Sequence, residues 1–309
     1  EKLIIATGAT PRSLSVPGAD LPGIFFLRDL NDSFALRERL GPTRELLIIG
    51  GGFIGLEVAV AARQLGTGVT LLEAAPQVLG RSLPPEVAET LLDLHRGKGV
   101  EIRTSASVVS FFGKTVVEGV LLADNSRIEA DSVLIAAGIT PNVRLALEAG
   151  LNCENGIIAD DRCHTGSGIF AIGDAAAAYN TRYARHIRLE SWQNAEQQAE
   201  IAARAIIGET PSWGSVPWVW SDQYGYNLQT AGFPASGDTI VQRRSPGGQK
   251  SLFFSMRAGS LVGAAAIGQG TSAAKDLRIA QMMIERGFNP EVEELENQDI
   301  SLKRLLNAA

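Results

Sequence analysis

Residues 45–73 read ELLIIGGGFIGLEVAVAARQLGTGVTLLE, and this stretch leaves the chain few folds to choose from. Leu46 to Ile49 is a short apolar run of the kind that makes a buried parallel strand, and Gly50-Gly51-Gly52-Phe53-Ile54-Gly55 fits G-x-G-x-x-G. Leu56 to Leu65 then carries helix formers with apolar residues at helical spacing. Gly66-Thr67-Gly68 breaks that helix, and Val69 to Leu72 is a second apolar strand ending on Glu73. Each glycine has a task in a dinucleotide site: Gly50 permits the tight turn, Gly52 lets a pyrophosphate approach the backbone, and Gly55 lets helix and strand pack closely. The helix N-terminus faces the phosphates. A carboxylate at Glu73 accepts both ribose hydroxyls and repels a 2′-phosphate, which favours NADH over NADPH; FAD also has an unphosphorylated adenosine ribose. Without these flanking strands the same glycines would be only a turn between a strand and a helix.

Composition narrows the class. With 309 residues, 45% of them hydrophobic, and 33 glycines, the chain reads as a two- or three-domain α/β enzyme. No apolar run is long enough to span a bilayer and no signal-peptide pattern is present, so no membrane is expected and the cytoplasm is the expected compartment. A net charge of −6 gives no support to nucleic-acid binding. Cys153 and Cys163 are ten apart, which fits neither a zinc site nor a redox dithiol, and no metal is expected.

An internal echo organises the rest. LIIATGATPR at 3–12 recurs as VLIAAGITPN at 133–142, and the two bracket the glycine-rich unit and a stretch of short strands from Val100 to Ala136. The simplest organisation inserts one nucleotide domain into another, with the echoes as crossing points. In the first echo Lys2 to Ala6 predicts a buried parallel strand and residues 7–11 a turn.

At this point the chain resembles the two-dinucleotide flavoprotein reductases, and among them the NADH-dependent ferredoxin and rubredoxin reductases of oxygenase systems. The resemblance rests on ATGATPR (6–12), GGGFIGLE (50–57), AAGITPN (136–142), GIFAIGDAA (168–176), RLESWQNAEQQA (188–199) and PWVWSDQYGYNLQ (217–229). It implies an α/β fold with two Rossmann-like nucleotide-binding domains and a C-terminal α+β domain. Such flavoproteins hold the FAD pyrophosphate on a first G-x-G-x-x-G near their N-terminus. None stands upstream of Gly50, so the FAD domain is expected to be truncated. The expected division is an FAD-domain remnant at 1–13, an inserted NAD domain at 14–137, a second FAD segment at 138–213 and a C-terminal reductase domain at 214–309.

The resemblance also assigns residues. NADH falls to Gly50, Gly52, Phe53, Ile54, Gly55, Glu73, Arg81 and Gly138, with Arg81 reaching the phosphates; a solvated surface arginine is the plainer reading of Arg81. FAD falls to Thr7, Gly8, Arg12, Gly173, Asp174, Glu190, Ser191 and Trp192. Asp174 would meet the ribityl hydroxyls, or cap a helix over Ala175 to Ala178. Trp192 lies against the flavin where many relatives carry a smaller aliphatic residue. Glu57 helps orient the nicotinamide for hydride transfer; by itself it is also a carboxylate favoured at the positive end of a helix. Trp218 and Trp220 share a face if extended, and Trp218 is the one placed against the isoalloxazine, with core packing as the alternative.

The implied reaction passes a hydride from NADH to FAD and then single electrons to a ferredoxin or rubredoxin; a homodimer stays open. Arg182, Arg185 and Arg188 form a basic run that either steers an acidic partner or serves local contacts. Disulfide reduction is disfavoured, because none of the three histidines lies beyond residue 186 to move protons at a dithiol. The alternatives are a module that binds NAD without redox work and a related NADH-dependent disulfide reductase or peroxidase.

Overall fold

The computed structural model describes residues 1–244 and 250–307. Its centre is a parallel sheet ordered β3-β10-β4-β5-β6, built from β3 (Ile24–Phe25), β4 (Glu45–Ile49), β5 (Gly68–Leu72), β6 (Val100–Arg103) and β10 (Ser132–Ile135). Both faces of this sheet are covered, which is why its strands read as unbroken apolar runs. Leu46, Ile48, Leu71 and Leu134 point to one face, against the helices α2 (Phe53–Gln64) and α3 (Pro85–Gly97). Leu47, Ile49, Leu72, Val133 and Ile135 point to the other. There they meet an antiparallel sheet of β7 (Val108–Phe112), β8 (Gly119–Leu122) and β9 (Arg127–Glu129). A short helix, α1 (Leu30–Arg37), leads into β4 and is closed by a capping box between Asp29 and Asp32. In α3 Pro85 opens the helix, and Val87, Ala88, Leu91, Leu92 and His95 form one buried face.

The two echoing segments meet each other. β2 (Ala9–Pro11) pairs antiparallel with β11 (Ile139–Pro141), placing Thr10 opposite Thr140. The expected turn over residues 7–11 is therefore half strand, because the matching segment supplies partners for its backbone groups. β1 (Leu3–Ile5) runs parallel to β15 (Ile169–Ala171), which pairs on its other side with β14 (His164–Gly166). β1 is the edge of this sheet, so only Ile5 is buried, whereas the sequence reading expected the whole run to be; Leu3 and Ile4 stay exposed. A second sheet, ordered β12-β13-β16-β17, uses β12 (Cys153–Glu154), β13 (Gly156–Ala159), β16 (Ala176–Asn180) and β17 (Arg185–Ile187). Two helices, α4 (Arg144–Glu148) and α5 (Trp192–Ile206), complete this part.

The C-terminal part is an antiparallel sheet ordered β18-β19-β22-β21-β20: β18 (Trp218–Gln223), β19 (Tyr226–Gly232), β20 (Thr239–Arg244), β21 (Lys250–Arg257) and β22 (Ser260–Gln269). One face supplies Leu228, Phe253, Ala265 and Ile267 to the same core as α2 and α3. The other packs Ala231, Phe254, Ala264 and Ala266 against α6 (Ala274–Arg286), α7 (Val292–Glu296) and α8 (Leu302–Asn307). The sheet is thus clamped between the nucleotide-domain helices and its own. No helix among the described residues is long and apolar enough to cross a membrane.

Candidate functional site

Local geometry explains each glycine of the loop after β4. Gly50 has φ +114°, and a Cβ there would lie 2.3 Å from the carbonyl oxygen of Ala136. A Cβ on Gly55 would lie 2.1 Å from the carbonyl oxygen of Gly50, so only glycine lets α2 start this close to the strand. Gly52 is different. It occupies the N-cap of α2 with ordinary dihedrals, and a Cβ there would meet nothing within 4 Å. The open space lies where the helix presents its free N–H groups, and a side chain would fill it; the loop fits a pyrophosphate. Phe53 and Ile54 begin the helix, with Ile54 exposed.

Glu73 ends β5 and turns back on the loop. Its two carboxylate oxygens accept from the backbone N–H groups of Gly51 and Ala75, each at 2.8 Å. The loop is thereby fixed by the residue read as the ribose acceptor, whose remaining lone pairs stay free for hydroxyls. Exposed Arg81 comes back to the second echo: its guanidinium lies 3.6 Å from where a Gly138 Cβ would stand.

The residues read as flavin ligands gather between the first echo and β15. Thr7 and Asn142 bond each other's backbone, the Thr7 hydroxyl donating to the Asn142 carbonyl at 2.6 Å and the Asn142 amide to the Thr7 carbonyl at 3.0 Å. Arg12 is exposed, its backbone tied to Gly138. Gly173 has φ +70°, and its N–H donates to Gln198 Oε1 at 2.8 Å. Asp174 does not cap a helix. It sits in a single 3₁₀ turn, Gly173–Ala175, and the alanines after it form β16, whose backbone groups are claimed by β13 and β17. Strand partners override the helix preference of alanine there. Arg28, which sequence reasoning missed, donates to the Asp174 carboxylate at 3.0 Å, and the same guanidinium nitrogen lies 3.3 Å from the Cβ position of Gly8. A guanidinium and a carboxylate thus converge beside two left-handed glycines, a donor set that fits FAD: a cation for phosphate and an acceptor for ribityl hydroxyls. Nothing in the local pattern FFLRDL marks Arg28 as different from a surface arginine.

Glu190 pairs with Arg188 at 2.7 Å, and Ser191 caps α5 by accepting from the Asn194 N–H. Arg188 is only 7% exposed and also donates to the Asp174 carbonyl. Arg182 donates to the carbonyls of Gly214 and Ile284, and Arg185 lies over the Phe233 ring. All three arginines of the basic run thus make local contacts, and among the described residues only Arg188 of the three is ion-paired; Arg182 and Arg185 stay exposed.

Three tryptophans stand between the two nucleotide regions. Trp218 and Trp220 stack with centroids 4.9 Å apart, and Trp192 meets Trp220 edge-on at 6.4 Å. Trp192 and Trp220 are exposed, while Trp218 is half-buried and donates to Gln229. Glu57 reaches this group from the other side, accepting from the Ser221 hydroxyl at 2.6 Å. Burial of its carboxyl against β18 raises its pKa; the Ser221 hydrogen bond opposes that rise and the charge of Asp222 adds to it.

A family model described as pyridine nucleotide-disulphide oxidoreductase matches residues 1–199. The chain belongs to that family. A second, described as reductase C-terminal, matches residues 218–306 of this oxidoreductase. Among curated relatives, the ferredoxin–NAD(+) reductase component of the anthranilate 1,2-dioxygenase system of Burkholderia cepacia is 38% identical over 311 residues, covering 99% of this chain and 75% of that protein. Among solved structures, the ferredoxin reductase for the CYP199A2 system of Rhodopseudomonas palustris is 34% identical with a TM-score of 0.93, covering 98% of this chain and 74% of that one. The covalent putidaredoxin reductase–putidaredoxin complex gives 33% identity and a TM-score of 0.93, over 100% of this chain and 75% of that chain. The chain spans about three quarters of the length of these relatives.

Proposed function

We propose that this oxidoreductase draws electrons from NADH through FAD and delivers them to a ferredoxin or rubredoxin that feeds an oxygenase. The observation that carries the reading is three contacts strung along β18 and α5: Glu57, two residues past the Gly50–Gly55 loop, accepts from Ser221; Trp220, next to Ser221 on the opposite face of β18, meets Trp192; and Gln198 of α5, the helix that Trp192 opens, holds Gly173 beside Asp174. The two nucleotide regions are thereby joined at one place, with exposed aromatic surface above it.

In this reading Gly52 and the first N–H groups of α2 hold the NADH pyrophosphate, with Phe53 and Ile54 in the first turn, Arg81 near Gly138 neutralises phosphate, and Glu73 selects the unphosphorylated ribose. Asp174, Arg28, Thr7, Gly8, Arg12, Gly173, Glu190, Ser191 and Trp192 surround FAD, and Trp218 presents an aromatic face to its ring. Held there, FAD would supply two-electron acceptance from NADH and one-electron release to a carrier, chemistry that the side chains themselves do not provide. Glu57 orients the nicotinamide. We divide the chain at 1–13, 14–137, 138–213 and 214–309, supported by the β2–β11 ribbon at the crossing points, and place it in the cytoplasm, supported by free Cys153 and buried, free Cys163.

With FAD supplied, NADH should reduce a [2Fe–2S] ferredoxin, read from the visible bands of its cluster, and NADPH should do so at least tenfold more slowly. Tight NADH binding without cluster reduction would leave an NAD-binding module instead.

A further inference from the structure

The Ser221–Glu57 contact is the end of a longer hydrogen-bonded chain, whose buried part, His95 and Gln223, the reading above does not use. It starts at His95 on the buried face of α3, crosses to Gln223 at the end of β18, returns to Ser221 two residues back on the same strand face, and ends on Glu57 of α2. The steps are His95 Nε2 to Gln223 Oε1 at 2.7 Å, Gln223 Nε2 to Ser221 Oγ at 3.0 Å, and Ser221 Oγ to Glu57 Oε1 at 2.6 Å. His95, Gln223 and Ser221 are each at most 1% exposed.

The chemistry of these groups sets one direction. Gln223 Oε1 can only accept, so His95 Nε2 carries the proton and donates. Gln223 Nε2 can only donate, so Ser221 Oγ accepts from it and turns its own proton to Glu57. Every donor points at the carboxylate. His95 Nδ1 is then an unprotonated nitrogen, buried and without a partner, which suits a neutral imidazole and no other form. Burial holds the His95 pKa low, against the opposing hydrogen bond of Gln223.

We propose that Ser221, Gln223 and His95 are positioning residues for Glu57: a one-way hydrogen-bond chain, running from α3 through the C-terminal sheet, that holds the Glu57 carboxylate in one orientation as an acceptor toward bound NADH. The inference rests on the nicotinamide-facing role of Glu57 proposed above. It gives the C-terminal sheet a part in NADH recognition, since two of the three residues lie on β18 and none lies in the glycine-rich loop.

Among the described residues, two further groups of side chains bear on this chain. Asp222, next to Ser221, opposes charge on Glu57 and accepts from Asn227. Around His95 stands the Tyr224 ring, edge-on at 5.1 Å, with Lys98 over that ring and the charge of Arg63 acting on its hydroxyl.

The test uses NADH binding, measured by calorimetry between pH 5 and 9 on the full chain without added FAD. Four proteins are compared: the parent, Glu57→Gln, Ser221→Ala and Gln223→Met, the last chosen to keep the side-chain volume. In the parent, NADH affinity falls as pH drops through the Glu57 transition, and in Glu57→Gln that transition is absent. Losing a hydrogen bond to a charged acceptor should move the midpoint upward by about one pH unit in Ser221→Ala, and in the same direction in Gln223→Met. Circular dichroism and thermal melts confirm that each variant is folded. An unmoved midpoint in either folded variant overturns the chain while leaving the NADH site standing, as does a parent that binds NADH with no Glu57-dependent transition. A parent that binds no NADH at all overturns the nucleotide reading and the chain with it.

Discussion

Gly52 and Gly55 stand three residues apart and should fail in opposite ways. A methyl group on Gly55 runs into the Gly50 carbonyl, so Gly55→Ala should cost about 1–3 kcal/mol of stability, visible as a lower melting temperature. A methyl group on Gly52 meets open space. Gly52→Ala loses only the N-cap preference for glycine over alanine, about 1 kcal/mol or less, so it should lower the melting temperature less than Gly55→Ala does and weaken NADH binding at least tenfold. At the same scale, Cys163 should be chemically silent. Its thiol is pushed up to about 12 by burial first, and then by the charges of Asp160 and Asp161. At pH 8 it is protonated and inaccessible, so a thiol reagent on the native chain should modify one cysteine, Cys153, and reach the second only on unfolding. The glycine loop and Glu73 were legible in the sequence because one contiguous motif carries them: strand, G-x-G-x-x-G, helix, second strand and acidic residue all fall within residues 45–73. Arg28, Gln198 and His95 were not, because each acts on a residue between 25 and 146 positions away.

Elements show where local preference loses to partners. The alanines at 175–178 belong to a good helix former, yet β13 and β17 on either side make β16 of residues 176–180, and the helix-cap reading of Asp174 fails with it. At residues 7–11 the glycine and proline predict a turn, yet Ala9–Pro11 pairs as a strand with the other copy of the same phrase. Ser221 and Gln223 were legible only as alternate residues of one strand face in WVWSDQ, polar where the neighbouring core is apolar. The helix end at Gly287 was cleanly readable. Its φ of 66° is left-handed, and Gly287→Ala should cost about 1 kcal/mol, read from denaturant midpoints. At α3, stability should depend on pH through His95. Its pKa is lowered in the fold by burial, so the unfolded chain takes up the proton first. Stability should therefore fall as pH drops below about 6.5, and His95→Gln should remove that part of the slope; identical slopes from pH 8 to 5.5 would show that His95 does not couple α3 to the fold's pH response.

At the scale of the molecule, the parallel sheet, the β2–β11 ribbon and the C-terminal sheet bring two nucleotide regions to one line of tryptophans. The antiparallel sheet does two jobs: it completes the core of α2 and α3, and it carries Ser221 to Glu57. That arrangement explains why the chain reads as an oxidoreductase from its motifs but shows its working contacts only when folded. The proposed function requires NADH and FAD to be held close enough for a hydride to pass between them. Visible absorption of the purified chain, first with FAD and then with NADH added in the absence of oxygen, tests it directly. The expected result is a bound flavin band that bleaches on adding NADH and survives NADPH at the same concentration. A flavin band that persists while calorimetry shows NADH bound would contradict it.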